Sequence, residues 1–235
     1  MPSQRHPRAV VFDLDDTLYP ERAFAMSGFE AIAAAFQPVL GDPEAAANRM
    51  RELFDTEHGR RIFDQVLSER GYPEDPALVR RMIDTYHAHP PRIGLHADAD
   101  ACLTRLRDGF ELGLISDGLA LMQRNKVHAL GLTDRLDEII LTGELGRGID
   151  KPHPRAFEMM AQALRVAAME CVYVADNPRK DFIAPNVLGW MTVRVLRADG
   201  IYRDEQPSRG GEPVATITTL DDLDRVLRLQ EALDR

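Results

Sequence analysis

Cysteine is nearly absent from this chain. Only Cys102 and Cys171 occur in 235 residues, and neither lies in a CxxC pair. A disulfide framework is therefore excluded, and both are read as buried free thiols, one on a helix and one opening a strand, as a reducing cytoplasm would allow. Long apolar runs are also missing. No stretch approaches the ~18 residues needed to span a membrane. The apolar run after the short basic N-terminus ends at Asp13, too soon for the core of a signal peptide. Basic charge is in deficit, with a net charge of −9 and an isoelectric point of about 5.3. That argues against a nucleic-acid partner held on a broad basic surface, although a locally positive pocket could still take a small anion. The seven histidines are scattered and show no HExxH spacing, so no transition-metal site is expected. His87 and His89 flank a helix end and are expected on the surface. Internal repeats and low-complexity segments are lacking too.

What is present is the composition of a globular protein, 44% hydrophobic and 29% charged, long enough for a core domain with an insertion. Five short runs rich in Val, Ile and Leu, at 9–12, 112–115, 138–141, 171–175 and 191–196, lack strict alternation. That is the pattern of strands buried on both faces, as in a parallel sheet; Thr216-Ile217 adds a short edge strand. Amphipathic helices fall between them, on the stripes Leu119/Met122/Val127/Leu130, Phe157/Met160/Ala161/Leu164 and Leu220/Leu223/Leu227, the last with Thr219 and Asp221 as caps. A doubly wound α/β sheet follows from the alternation. Residues 20–92 break the rhythm with four successive helical stripes, centred on Phe29 to Leu40, Met50 to Phe54, Phe63 to Leu67 and Val79 to Tyr86. The expected organisation is an α/β core over 1–19 and 93–235, with a helical insertion over 20–92. Entering just after the first strand, that insertion is expected to cap the crevice and close on substrate.

The chemistry gathers where the strands end. Asp13-Leu-Asp-Asp-Thr17 follows the first, Ser116-Asp117-Gly118 the second, Lys151-Pro152 lies beyond the third, and Asp176 follows the fourth with Asp181 five residues on. In a parallel sheet these ends share one edge. Carboxylates gathered there repel one another unless a divalent cation or a nucleophile–acid pair accounts for them. A carboxylate nucleophile, a second carboxylate that handles the proton, Mg²⁺, a hydroxyl and a lysine make up the set that phosphoryl transfer through an aspartyl phosphate requires.

In these four motifs, in this order, the chain resembles the haloacid dehalogenase-like (HAD) superfamily of hydrolases over essentially its whole length. The resemblance implies a Rossmann-like core, an Mg²⁺ cofactor and a role for each matching position. Asp13 would be the nucleophile and Asp15 the general acid/base. Asp13 and Asp176, with the backbone carbonyl of Asp15, would hold Mg²⁺, and Asp181 would support the metal or its water. Ser116 and the N–H of Asp117 would bind phosphoryl oxygens, Lys151 would bridge nucleophile and phosphate, and Thr17 would brace the loop. Two positions depart from the family pattern, Ala175 and Asp16, where Gly is often found; Asp16 has no assigned role.

The expected activity is hydrolysis of a small phosphorylated metabolite. A haloacid dehalogenase on the same fold needs the nucleophile but no phosphoryl-directed acid two residues later, so Asp15 favours phosphate chemistry. A phosphomutase uses the same carboxylate pair and stays open. A phosphonate hydrolase usually needs a lysine in the cap, and residues 20–92 contain none. A receiver domain, as a non-catalytic signalling module, carries its acceptor aspartate on a middle strand and lacks such an insertion. Tyr19 and Arg22 at the entry to the insertion, and the basic loop of His58, Arg60 and Arg61, are candidate substrate contacts.

Overall fold

The run Ala-Val-Val-Phe is buried on both faces and forms β1 (Ala9–Phe12), the axis of the fold. This is a computed structural model, and it describes residues 6–57, 61–72 and 75–233. After β1 come five helices, α1 (Glu21–Ala35), α2 (Gln37–Leu40), α3 (Pro43–Glu57), α4 (Ile62–Glu69) and α5 (Pro76–Ala88). The chain then alternates through α6 (Ala97–Leu106), β2 (Glu111–Ser116), α7 (Ala120–Ala129), β3 (Glu138–Leu141), α8 (Arg155–Ala163), β4 (Cys171–Ala175), α9 (Ile183–Leu188), β5 (Met191–Val195), β6 (Ala215–Ile217) and α10 (Leu223–Leu233). Among the described residues, six strands form one sheet in the order β3-β2-β1-β4-β5-β6, all pairs parallel. This is the doubly wound α/β fold expected from the sequence. Strand order reverses between β1 and β4, and ligands of such sheets bind outside the carboxyl ends of the strands at that reversal. No helix among the described residues is long and apolar enough to cross a membrane.

The chain divides into two compact units. One runs up to Glu21 and resumes at Gly94; the other is Arg22–Ile93. The core of the α/β unit sets Phe157 and Met160 of α8 against the sheet, with Phe157 edge-on to Tyr173 and Trp190. Gly113 of β2 makes room for that helix: a Cβ there would stand 2.6 Å from the Met160 sulfur. The helical unit has its own core, in which the expected apolar stripes meet, among them Phe29, Ile32, Met50, Leu53, Val66 and Met82.

Two local expectations need correction. His89 is buried, not exposed. Its ring packs 4.7 Å from Phe24, and Nδ1 lies 2.6 Å from the Tyr86 carbonyl, so it caps α5 from within. His87 is also half-buried. In α7 the buried face carries Gln123, Lys126 and Val127, whereas Leu119 is 52% exposed. Leu119 is extended and precedes the helix as its N-cap, so it never joins the helical face.

One ion pair, between the buried Arg197 and the half-buried Asp98, links three distant parts of the α/β unit. Arg197 donates to Asp98 at 2.6 Å and to the Thr17 carbonyl at 2.7 Å. Asp98 also accepts from Leu220 N–H and the Thr219 hydroxyl. Burial alone would raise the Asp98 carboxyl, but the Arg197 and Leu220 hydrogen bonds hold it at about 2, below the ordinary 3.8. Such a group stabilises the fold above its unfolded value and loses that contribution as pH falls through its folded value. Asp98→Asn should therefore lower stability by ~3 kcal/mol at neutral pH, because Arg197 keeps its charge without its partner. The acid limb of the melting curve between about pH 4 and 2 should flatten in that variant. An unchanged acid limb would show that Asp98 carries no such linkage.

Candidate active site

At the β1/β4 reversal the backbone N–H of Asp13 bonds the Val174 carbonyl at 2.9 Å, extending the β1 ladder by one residue into the loop. Asp13 and Asp176 thus leave adjacent parallel strands at the same edge. One ligand oxygen each from Asp13, Asp176 and Asp181 lie within 4.8 Å of one another, and all three residues are buried. Lys151 reaches this group from the segment after β3. Its Nζ is 2.7 Å from Asp13 Oδ1 and 2.8 Å from Asp181 Oδ1, and it donates to the Tyr173 hydroxyl at 2.9 Å. Asp181 Oδ2 accepts the Asn177 N–H, closing the turn after β4.

Like charges crowded together in a dry site are held at a cost. Burial, opposed by Lys151 and reinforced by Asp181, pushes the Asp13 carboxyl up to about 7. Burial and the neighbouring Asp13 drive Asp176 well above the usual carboxylate range. Lys151 moves the other way: burial would depress it, but Asp13 and Asp181 keep it firmly protonated.

The second carboxylate of the first motif faces a different set of partners. Asp15 Oδ1 accepts from Lys126 Nζ at 2.6 Å and from the Tyr19 hydroxyl, while Oδ2 accepts from Gln123 Nε2 at 2.9 Å. Burial raises its carboxyl, yet the Lys126 ammonium and these hydrogen bonds hold it below the ordinary value. Gln123 Nε2 also lies 2.8 Å from Ser116 Oγ and 2.5 Å from the Asp117 carbonyl, so its two N–H groups face three oxygens. The Asp117 carboxylate is turned away to Lys180 Nζ (2.6 Å), the Thr142 hydroxyl (2.9 Å) and the Lys151 N–H (3.1 Å).

Asp13, Asp15, Asp117 and Asp176 line one cavity of about 270 Å³, together with Glu21, Gly118, Met122, Gln123, Lys126, Asn177, Lys180 and Tyr202. The expected residues of all four motifs therefore converge. Ser116 and Lys151 sit directly behind this lining, within 3 Å of its Gln123 and Asp13 side chains, and Asp181 accepts the backbone N–H of its Asn177 at 3.0 Å. Asp16 now has a part to play. It adopts φ +49, a left-handed conformation that explains why Gly is common there, and its carboxylate takes the N–H groups of Glu21 and Ile201. Thr17 braces the loop through its carbonyl on Arg197; its buried hydroxyl has no hydrogen-bond partner among the described residues.

The candidate contacts at the insertion separate. Tyr19 is wholly buried in the α/β unit, on Asp15. Arg22 belongs to the helical unit and pairs with Asp55. Arg61 is exposed near Asp64 and lines a cavity of about 480 Å³ within the helical unit, with Phe29, Phe54, Tyr86 and His87. His58 and Arg60 lie outside the described residues. Gln123, Lys126, Lys180, Glu21 and Tyr202 were not foreseen. For the first two a signal existed: they stand i, i+3 apart, in register with Leu130, on the helix that follows the second motif.

Comparison with known proteins agrees with this arrangement. The family model described as haloacid dehalogenase-like hydrolase matches residues 7–189. The chain is 35% identical over 208 residues to glyceraldehyde 3-phosphate phosphatase of Methanopyrus kandleri, covering 85% of this chain and 88% of that one. It is 32% identical to phosphoserine phosphatase of Thermus thermophilus, covering 85% and 76%. Among solved structures, 2-haloacid dehalogenase from Pseudomonas syringae superposes with a TM-score of 0.62 at 26% identity, covering 95% of this chain and 99% of that one. The chain belongs to the haloacid dehalogenase-like hydrolases, and it is an enzyme of the hydrolase class.

The loops that carry Ser116 and Thr142 touch closely. A Cβ on Gly143 would stand 2.2 Å from the Gly118 carbonyl oxygen and 3.0 Å from the Ala120 nitrogen, both backbone atoms that cannot swing aside. Gly143→Ala should force these loops apart and cost ~1–3 kcal/mol, read by denaturant unfolding. An unchanged midpoint would show that the contact tolerates a side chain.

Proposed function

We propose that this protein is an Mg²⁺-dependent phosphatase that hydrolyses a small phosphomonoester through a phosphorylated aspartate. The observation that carries the reading is Asp15: a second carboxylate on the same cavity as Asp13, held by an ammonium, an amide and a phenol. A dehalogenase has no use for such a group, whereas phosphomonoester cleavage needs a proton for the leaving oxygen. Two curated relatives bear the names of phosphatases of small metabolites, which supports the same chemistry.

In this reading an oxygen of Asp13 attacks phosphorus, and the bond from phosphorus to the leaving oxygen breaks with its electron pair passing to that oxygen. Asp15 supplies the proton. In the second half Asp15 takes a proton from water as the water oxygen attacks the phosphoaspartate, and the bond from phosphorus to the Asp13 oxygen breaks with its electron pair returning to that oxygen, so that phosphate leaves. Ser116, the N–H of Asp117 and Lys151 hold the non-bridging oxygens, and the Lys151 ammonium favours the ionised form of Asp13 against burial. The donor set suits a hard divalent ion, since it is made of buried carboxylate oxygens whose own repulsion is unrelieved by Lys151 alone. Asp13 and Asp176 with the Asp15 carbonyl would hold Mg²⁺, with Asp181 beside them. When bound, the ion supplies charge that offsets the repulsion between carboxylate and phosphate. The helical unit is assigned substrate selection, as a cap, and the two free thiols suit a cytoplasmic setting.

Asp13→Asn should abolish hydrolysis of p-nitrophenyl phosphate while the circular dichroism spectrum stays native; Mg²⁺-dependent turnover at wild-type rate in that variant would overturn the nucleophile assignment. Asp15→Asn should lose turnover but keep phosphate binding. Metal binding is testable without activity. Mg²⁺ at a hundredfold excess over its Kd should add ~2.7 kcal/mol and raise the melting temperature by ~5–10 °C. Asp176→Asn should lose that rise, and a wild-type protein indifferent to Mg²⁺ would refute the metal assignment.

A further inference from the structure

We propose that Gln123 and Lys126 of α7 are positioning residues for Asp15, and that they single out its Oδ2 as the atom that carries the proton. The inference rests on the phosphatase reading and sharpens it to one atom. A carboxylate offers about two acceptor directions on each oxygen. On Asp15 Oδ1 both are filled, by Lys126 Nζ at 2.6 Å and by the Tyr19 hydroxyl. On Oδ2 one is filled, by Gln123 Nε2 at 2.9 Å. The remaining direction on Oδ2 is the one free to exchange a proton with substrate or water. Because Asp15 Oδ2 and the Asp117 carbonyl only accept, the NH₂ end of Gln123 must face them.

The two side chains are suited to this work by burial. Lys126 and Gln123 are each 1% exposed, so neither is steered by solvent. They stand i, i+3 on one face of α7, a helix anchored by Val127 and Leu130 in the core. Gln123 ties the proton carrier to the phosphate side as well, because its other N–H faces the Asp117 carbonyl, with Ser116 Oγ 2.8 Å from the same nitrogen. One amide thus sets the spacing between the group that holds the phosphoryl oxygens and the group that protonates the ester oxygen. Without Lys126, the Asp15 carboxylate could turn about its side-chain bonds and offer either oxygen, and the ester oxygen would meet the proton carrier less often.

The step affected is specific. Asp15 takes up one proton on Oδ2 as the ester binds; in the first half-reaction that Oδ2–H bond breaks and the proton goes to the ester oxygen, which also keeps the electron pair of the broken P–O bond while an Asp13 oxygen joins phosphorus. In the second half, water gives its proton to Oδ2 as its oxygen joins phosphorus and the bond from phosphorus to Asp13 breaks, its electron pair returning to Asp13, which restores the protonated Oδ2. An alkyl ester oxygen needs that proton, because an alkoxide is a poor leaving group; a dinitrophenolate does not.

The test compares Lys126→Met and Gln123→Leu with the wild type on two substrates, glycerol phosphate and 2,4-dinitrophenyl phosphate, reading kcat/KM, which reports steps up to P–O cleavage. Both variants should lose ~10²-fold on the alkyl ester and change little on the dinitrophenyl ester. A merely structural role predicts equal losses on both. Equal losses, or no loss on the alkyl ester, would overturn the proposal. Should Lys126→Met fail to fold, the Gln123→Leu comparison decides alone. Dinitrophenyl phosphate turnover that survives Asp13→Asn would count against the phosphatase reading itself, not against the positioning role.

Discussion

The repulsion among carboxylates packed at one edge of a parallel sheet is the constraint on which the rest of this structure depends. Asp13, Asp15, Asp117, Asp176 and Asp181 are drawn to the carboxyl ends of β1, β2 and β4 by topology alone. The chain answers with every lysine it has. Its three lysines are Lys126, Lys151 and Lys180, and they pair with Asp15, with Asp13 and Asp181, and with Asp117. All other basic side chains apart from histidine are arginine. The division follows from shape: an ammonium is a compact point charge that fits between two carboxylates, whereas a guanidinium is a planar fork suited to a single one. The arginines do that second kind of work elsewhere, as in the forked contact of Arg179 with Glu205.

Charge balance would accomplish little if the loop after β1 could move. That loop is fixed from several directions. The sheet holds Asp13 through Val174, and Asp16 in its left-handed conformation receives the Glu21 and Ile201 N–H groups. Arg197 grips the Thr17 carbonyl while itself pinned by Asp98. The same Asp98 takes the N–H of Leu220 at the start of the final helical segment. The C-terminal segment is therefore coupled to the loop after β1 through the Arg197 and Asp98 side chains.

How much of this was legible in the sequence depended on whether a residue's signal was local. The strands were readable because β-branched runs bounded by polar turns have few alternatives, and three of the four motifs because each lies at a strand end, with Lys151 following β3 at a distance. Periodicity failed on α7, where it counted Leu119 with the core although that residue precedes the helix. The same reading gave Gln123 and Lys126 no role, because a buried lysine makes sense only once Asp15 is seen opposite. Tyr19 was taken for a substrate contact; its partner, Asp15, is four residues away and invisible without the loop's path. Asp16 had no role on paper, because one of its two donors, Ile201, is 185 positions distant. His89 was expected outside because histidine usually is, yet Phe24 and Tyr86 close over it.

Fold and reaction part company in this family. A dehalogenase shares the architecture over nearly the whole chain, so the backbone cannot tell carbon–halogen from phosphorus–oxygen chemistry. The distinction must lie in a side chain that one reaction needs and the other does not. Burying an additional carboxylate costs several kcal/mol unless partners are provided. Here three donors from two elements are committed to Asp15, one of them a charged lysine 2% exposed. A group without a chemical task at this position would be more stable as an apolar residue, with Lys126 and Gln123 replaced to match. The expense of keeping Asp15 oriented and open at one oxygen is physical support for phosphoryl transfer that no superposition of backbones can supply.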